Sequence, residues 1–98
     1  MAGFVQIVEF KSSRADELMA LGDEMEPQRS SGTARRLVIG ADRDRPGYYF
    51  SIIEFDSYEA AMENSNRPET SEFAEKMGKL CDEPPTFRNL DVERTWQP

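Results

Sequence analysis

An α+β fold with the element order βαββαβ follows from three observations on the chain. Four short stretches are rich in β-branched and aromatic residues, two longer ones carry apolar residues at helical spacing, and turn-forming residues separate them. The length allows one domain, because each half of 98 residues would be too short to bury a core of its own.

Residues 4–10 (Phe-Val-Gln-Ile-Val-Glu-Phe) contain no Gly or Pro and read as the first strand. Its apolar side chains fall on both parities, Phe4, Val8 and Phe10 on one and Val5 and Ile7 on the other, so both faces are expected to be covered. Ser12 and Ser13 open the first helix, with Asp16 as a capping-box partner of Ser13. Leu18, Leu21 and Met25 follow at helical spacing, and Pro27 stops the helix. Gln28 to Thr33 is loop. A second strand spans 34–41 around Leu37-Val38-Ile39 and a third spans 47–55 around Tyr48 to Ile53. The turn-rich segment Asp42-Arg43-Asp44-Arg45-Pro46-Gly47 is short enough to join them as a hairpin.

Asp56 begins the second helix, with Glu59 at the matching cap position. The helix falters at Asn64-Ser65-Asn66 and restarts at Pro68, a residue suited to a first turn. Asn66, with Glu69 three residues on, is the expected cap of the restarted piece. Phe73, Met77 and Leu80 form its apolar stripe, and Cys81-Asp82-Glu83-Pro84-Pro85 ends it. The last strand covers about 86–94, with Leu90 and Val92 expected to face the helices. Two crossovers around a central hairpin give a four-stranded antiparallel sheet with both helices on one face, a ferredoxin-like arrangement.

Composition narrows the function classes. Hydrophobic residues make up 38% and charged residues 32%, and 12 basic against 19 acidic residues leave a net charge of -7. An acidic chain lacks the basic face that nucleic acid requires, so no nucleic-acid partner is expected. No apolar run approaches a membrane span, and the first residues lack a secretory signal, so no membrane partner is expected. The single cysteine, Cys81, fits a reducing compartment, and a cytoplasmic location is expected. One Cys and no His cannot assemble a zinc or haem-ligand set, no calcium-loop spacing occurs, and no glycine-rich nucleotide loop is present. No metal and no cofactor are therefore expected.

With both helices on one face of the sheet, the other face is left open. Phe4/Val8/Phe10 and Tyr49/Ile53/Phe55 are the expected apolar sets on that open face, a patch rare on a monomer. Burying ~700 Å² per partner at about 25 cal/mol/Å² gives a gross gain on the order of 15 kcal/mol before association entropy. A homodimer with face-to-face sheets is expected; the alternative is a monomer with a less apolar open face.

The most specific stretch is residues 54–64, Glu-Phe-Asp-Ser-Tyr-Glu-Ala-Ala-Met-Glu-Asn, where the third strand meets the second helix. Phe55, the Asp56-Ser57 linker and Glu59-Ala60, with the length and element order, resemble the dimeric α/β-barrel superfamily, in particular its small antibiotic-biosynthesis-monooxygenase-like proteins. The resemblance implies a homodimer, a cavity between sheet and helices in each subunit, and often cofactor-free oxidation of aromatic or quinol-like compounds. Isomerases and cyclases also occur among such relatives. Asn64 stands where many relatives carry a helix histidine, which removes the iron ligand of haem-degrading members. Trp96, the sole tryptophan, lies at the C-terminal end rather than on that helix.

Several residues are candidates for chemistry. Asn89, Asp91 and Glu93 share a parity of the last strand, expected to point into the dimer; desolvation there would make Asp91 a general base. The alternative is a charged, solvated edge strand, with these groups paired to Arg35, Arg36 or Arg88. Gln6 interrupts an apolar strand and would bind a ligand carbonyl or satisfy a polar neighbour. Tyr48 and Tyr49 straddle both faces, so Tyr49 is either a proton carrier beside a cavity or core. Asn64, at the helix break, and Asn89 would orient a substrate. Five arginines (29, 35, 36, 43 and 45) against two aspartates leave residues 29–45 at +3, so Arg35 would steer an anionic group or be solvated. Cys81, followed by Asp82 and Glu83, is expected to be an inert thiol, and Met19, Met25, Met62 and Met77 to be helix packing. The functional expectation is binding, with possible cofactor-free conversion, of a small aromatic or polyketide-like molecule. The alternatives are a non-catalytic ligand-binding or regulatory protein and an interaction module with no cavity.

Overall fold

Strands and helices alternate as β1 (Phe4–Lys11), α1 (Ala15–Glu24), β2 (Ala34–Ala41), β3 (Tyr48–Phe55), α2 (Tyr58–Ser65), α3 (Pro68–Leu80) and β4 (Thr86–Asp91) in the computed structural model. It describes residues 3–27 and 32–98, so most of the loop expected over Gln28–Thr33, Arg29 included, lies outside the described residues. The sheet order is β2-β3-β1-β4 and every neighbouring pair is antiparallel. This is the ferredoxin-like arrangement expected from the element order.

Register assigns the faces. Phe4, Gln6, Val8 and Phe10 of β1 pair with Phe55, Ile53, Ser51 and Tyr49 of β3. Phe4, Val8 and Phe10 are buried under the helices, in two clusters. One gathers Val8 and Phe10 with Leu18 and Leu21 of α1 and Met77 of α3. The other joins Phe4, Phe55 and Ala61 of α2. The expectation that Phe4, Val8 and Phe10 with Tyr49, Ile53 and Phe55 form the open face is therefore reversed. The open face carries Val5, Ile7, Phe50, Ile52 and Leu90 instead, with Val38 beside Ile52. β1 is apolar on both parities, so its own sequence could not say which set the helices take.

β4 is corrected the same way. Leu90 pairs with Val5 and lies on the open face, 45% exposed, while Asn89 pairs with Gln6 on the helix side. Relative apolarity suggested the reverse, but pairing to β1 overrides it, because side chains on facing residues share a face. The strand ends at Asp91 rather than 94, and the Val92 N–H still donates to the Gly3 carbonyl at 3.1 Å. β2 has a register shift between Ala34 and Arg36 that takes Arg35 out of the ladder.

The helix ends differ in detail from the sequence reading. The Ser13–Asp16 box does not form: the Ser13 hydroxyl and N–H both donate to Asp82 Oδ1, at 3.1 and 3.3 Å. Buried Ser12 ties α1 to α3 instead, its hydroxyl donating to the Leu80 carbonyl at 2.7 Å and accepting from the Arg14 N–H at 2.9 Å. α2 is capped by Ser57, one residue after Asp56, whose hydroxyl accepts from the Ala60 N–H at 3.1 Å. Asn66 ends α2 and does not cap α3, whose N-cap is Arg67 with Pro68 in the first turn. Gly47, with φ +88°, closes the β2–β3 hairpin in a conformation that suits glycine. Gly3 packs so closely that a Cβ there would sit 2.5 Å from the Asp56 carbonyl oxygen.

Candidate ligand cavity

Between the inner face of the sheet and the helices lies a cleft of about 180 Å³. Its floor is Gln6, Val8 and Phe10 of β1, Leu37 and Ile39 of β2, Ser51 and Ile53 of β3 and Phe87 of β4. Leu18, Met19 and Met25 reach it from the first helical segment, and Phe73 and Met77 from α3. The break between α2 and α3 adds Asn64, Arg67, Glu69 and Thr70. The proline at the start of α3 forces that break, and the freed turn presents four polar side chains where a continuous helix would show a narrower stripe.

The walls are aliphatic, aromatic and thioether, a surface that suits a flat polarisable molecule. Its charged members are paired: Arg67 Nη2 lies 3.0 Å from Glu69 Oε2. The floor has two polar residues, Ser51 and Gln6, and Gln6 Nε2 donates to Asn89 Oδ1 at 3.2 Å. Gln6 interrupts the inner face of β1 between the two apolar clusters, so the sheet itself supplies the polar contact.

Of the candidates named from sequence, Gln6 and Asn64 line the cleft and Asn89 is bonded to Gln6. The other three are not among the lining residues. Asp91 is exposed on β4, opposite Phe4. Tyr49 stacks on Phe10 with ring centroids 5.6 Å apart and rings 18° from parallel, packed against the core. Arg35 is exposed, its Nη2 2.7 Å from Asp56 Oδ2. Asp56 holds the Arg35 guanidinium above its ordinary pKa, through a hydrogen bond first and charge second. Missed by the sequence reading were Phe73, Met19 and Met25 as cavity walls and Phe87 as floor. Helical spacing marked the first three as buried, but only the open volume beside them makes them lining.

Cys81 packs at the margin of the larger cluster, and burial, then the Asp82 charge, pushes its thiol pKa up. This suits an inert thiol. No group of three His, Cys, Asp or Glu side chains is placed to hold a metal among the described residues, and no helix there is long and apolar enough to cross a membrane.

No family model matches the chain, and no curated protein matches it. Solved structures do. SnoaB, a cofactor-independent oxygenase from Streptomyces nogalater, superposes with a TM-score of 0.81 at 12% identity over 97% of both chains. A structure described as an antibiotic biosynthesis monooxygenase gives 0.75 at 15% identity, covering 93% of this chain and 99% of that one. A conserved protein from Methanosarcina mazei Go1 gives 0.84 at 8% identity over 95% of both. The chain therefore has the ferredoxin-like fold of antibiotic biosynthesis monooxygenase-like proteins, matched over nearly its whole length.

Proposed function

We propose that this protein binds a small, uncharged aromatic or polyketide-like molecule in the cleft between sheet and helices, and converts it without a cofactor. The observation that carries the reading is the cleft itself, apolar on most sides, with Gln6, Ser51, Asn64 and Thr70 as hydrogen-bonding points and Arg67 paired with Glu69. Gln6 and Asn64 contact the ligand from opposite sides, and Asn89 supports Gln6. Structural likeness to a cofactor-independent oxygenase agrees with conversion by oxygenation, with isomerisation or cyclisation as alternatives. In such oxygenation the substrate carbanion reduces O₂, so the site supplies a base and a dry wall. Asp91, on the inner face of β4 two residues from Asn89, is the proposed base, and Tyr49 the alternative proton carrier.

A non-catalytic ligand-binding or regulatory role is favoured by one observation: neither Asp91 nor Tyr49 lines the cleft. One experiment separates the readings. Purified protein is given an electron-rich hydroxylated polycyclic aromatic, with dissolved O₂ followed by electrode and binding by calorimetry. Binding with O₂ uptake that Asp91→Asn abolishes supports the enzyme. Binding without uptake supports the non-catalytic role, and no binding, or binding unaffected by Phe73→Asp, overturns the cavity reading.

We also propose that two copies pack open face to open face. Val5, Ile7, Phe50, Ile52 and Leu90 lie there without a helix over them. Charges at its margin are balanced, with Arg36 bonded to Glu54 at 3.1 Å and Glu9 lying 3.4 Å from Arg45 and 4.0 Å from Arg88.

A further inference from the structure

We propose that the Gln6–Asn89 amide pair is a reversible hydrogen-bond reader, letting the cleft hold one ligand oxygen in either its hydroxyl or its carbonyl form. This inference rests on the cleft being a ligand site, and it adds the class of ligand: a neutral ring whose oxygen exchanges between phenol or enol and ketone.

Gln6 stands between Phe4 and Val8 on the inner face of the strand that runs through the middle of the sheet. The amide bonds Asn89, Nε2 to Oδ1, and neither side chain has another protein hydrogen-bond partner among the described residues. In this arrangement the Gln6 carbonyl oxygen is left for the cleft, and it accepts from a ligand hydroxyl. Each amide carries both a donor and an acceptor. Half-turns of both terminal torsions, which are broad and roughly two-fold, break the bond and re-form it with donor and acceptor exchanged. Asn89 then donates to Gln6, and the Gln6 NH₂ is left to meet a ligand carbonyl.

A lysine or a carboxylate at either position would fix one polarity, and so would a third protein partner. The pair has none of these. Keto and enol forms of one molecule differ by a proton moved between oxygen and ring carbon, so no oxidant or co-reactant enters the exchange. Arg67 lies 3.0 Å from Glu69, and the amide pair is the polar group of the lining that can present either polarity from the floor.

The test uses two probes of the same skeleton, 1-naphthol as donor and 1-tetralone as acceptor, titrated by calorimetry into the full chain. Wild type is expected to bind both with affinities within about threefold. In Asn89→Asp the carboxylate only accepts, so Gln6 Nε2 stays engaged and the cleft keeps an acceptor. That variant should hold 1-naphthol unchanged and lose 1-tetralone by about tenfold or more. Asn89 is exposed on the edge strand, so the substitution leaves the core untouched. Gln6→Glu should give the same selectivity from the other side of the pair. Binding of both probes by wild type, with Asn89→Asp and Gln6→Glu weakening them equally or not at all, overturns the reader while leaving the cavity reading intact. Binding of neither probe by wild type overturns both.

Discussion

Ser12 is buried to 2% exposure, yet it is a hydroxyl residue at the end of a strand. Its side chain receives the Arg14 N–H and gives its proton to the Leu80 carbonyl, while its own N–H donates to Gly47 at 3.0 Å. One residue thus joins β1, α1, the end of α3 and the hairpin turn. Ser12→Ala takes the hydroxyl partner from the part-buried Leu80 carbonyl and Arg14 N–H, which costs about 1 kcal/mol. Urea unfolding should show that loss as a lower midpoint with an unchanged slope. Gln6 is the counterpart at the site, a polar residue in an apolar row whose partner is another side chain. Of the two, Gln6 was visible in sequence as an exception to pattern. Sequence marked Gln6 as an interruption, but it paired Ser12 and Ser13 with a local cap because local partners are what neighbouring residues suggest, while the actual partners, Leu80 and Asp82, are 68 and 69 residues away.

At the scale of elements, two joints are held by ion pairs on the surface. Arg45 bonds Asp42 at 2.9 Å in the β2–β3 turn, and Arg35 bonds Asp56 where β3 hands over to α2. Hydrogen bonds from these arginines are the largest influence lowering the pKa of Asp42 and of Asp56 from 3.8. A carboxylate with a lowered folded pKa adds stability that is fully present above its unfolded value and is lost as pH falls through the folded one. Stability should therefore hold constant from about pH 6 to pH 5 on account of these joints and decline below about pH 4. Urea midpoints across that range check it, and Arg35→Met with Arg45→Met should flatten the acid limb. Salt should weaken the same contribution, because both pairs are exposed. Arg35 is thus a joint residue; the bulge that takes it out of the ladder also carries it away from the cleft. Sequence could see the positive run but not the bulge, since a bulge has no composition of its own.

For the whole molecule, charge is divided by layer. Residues 14–26 hold five acidic residues against one basic, and residues 56–83 hold eight against three, leaving -9 there and +2 on the rest of the chain. Packing two open faces together places both acidic helical layers outward and joins the near-neutral sheets, so self-association does not bring like charge together. Sedimentation at micromolar concentration should give twice 11.2 kDa. Ile52→Asp, at the centre of that face, should return the single-chain mass while leaving far-ultraviolet dichroism unchanged. A wild-type particle of 11.2 kDa overturns the dimer.

Element order, sheet topology and the helix break were legible in the amino-acid sequence, because each rests on local chemistry: β-branched runs, helical spacing, and Pro68 where a helix must begin again. Gln6 and Asn64 stood out for the same local reason, as polar residues in places that pattern reserves for others. Which parity of β1 the helices cover, and therefore which side of the sheet holds Asn89 and Asp91, was settled only by tertiary structure. Strand pairing fixes one face for a whole rung at once, so a strand that is apolar on both sides takes its orientation from its partners and from the helices above them.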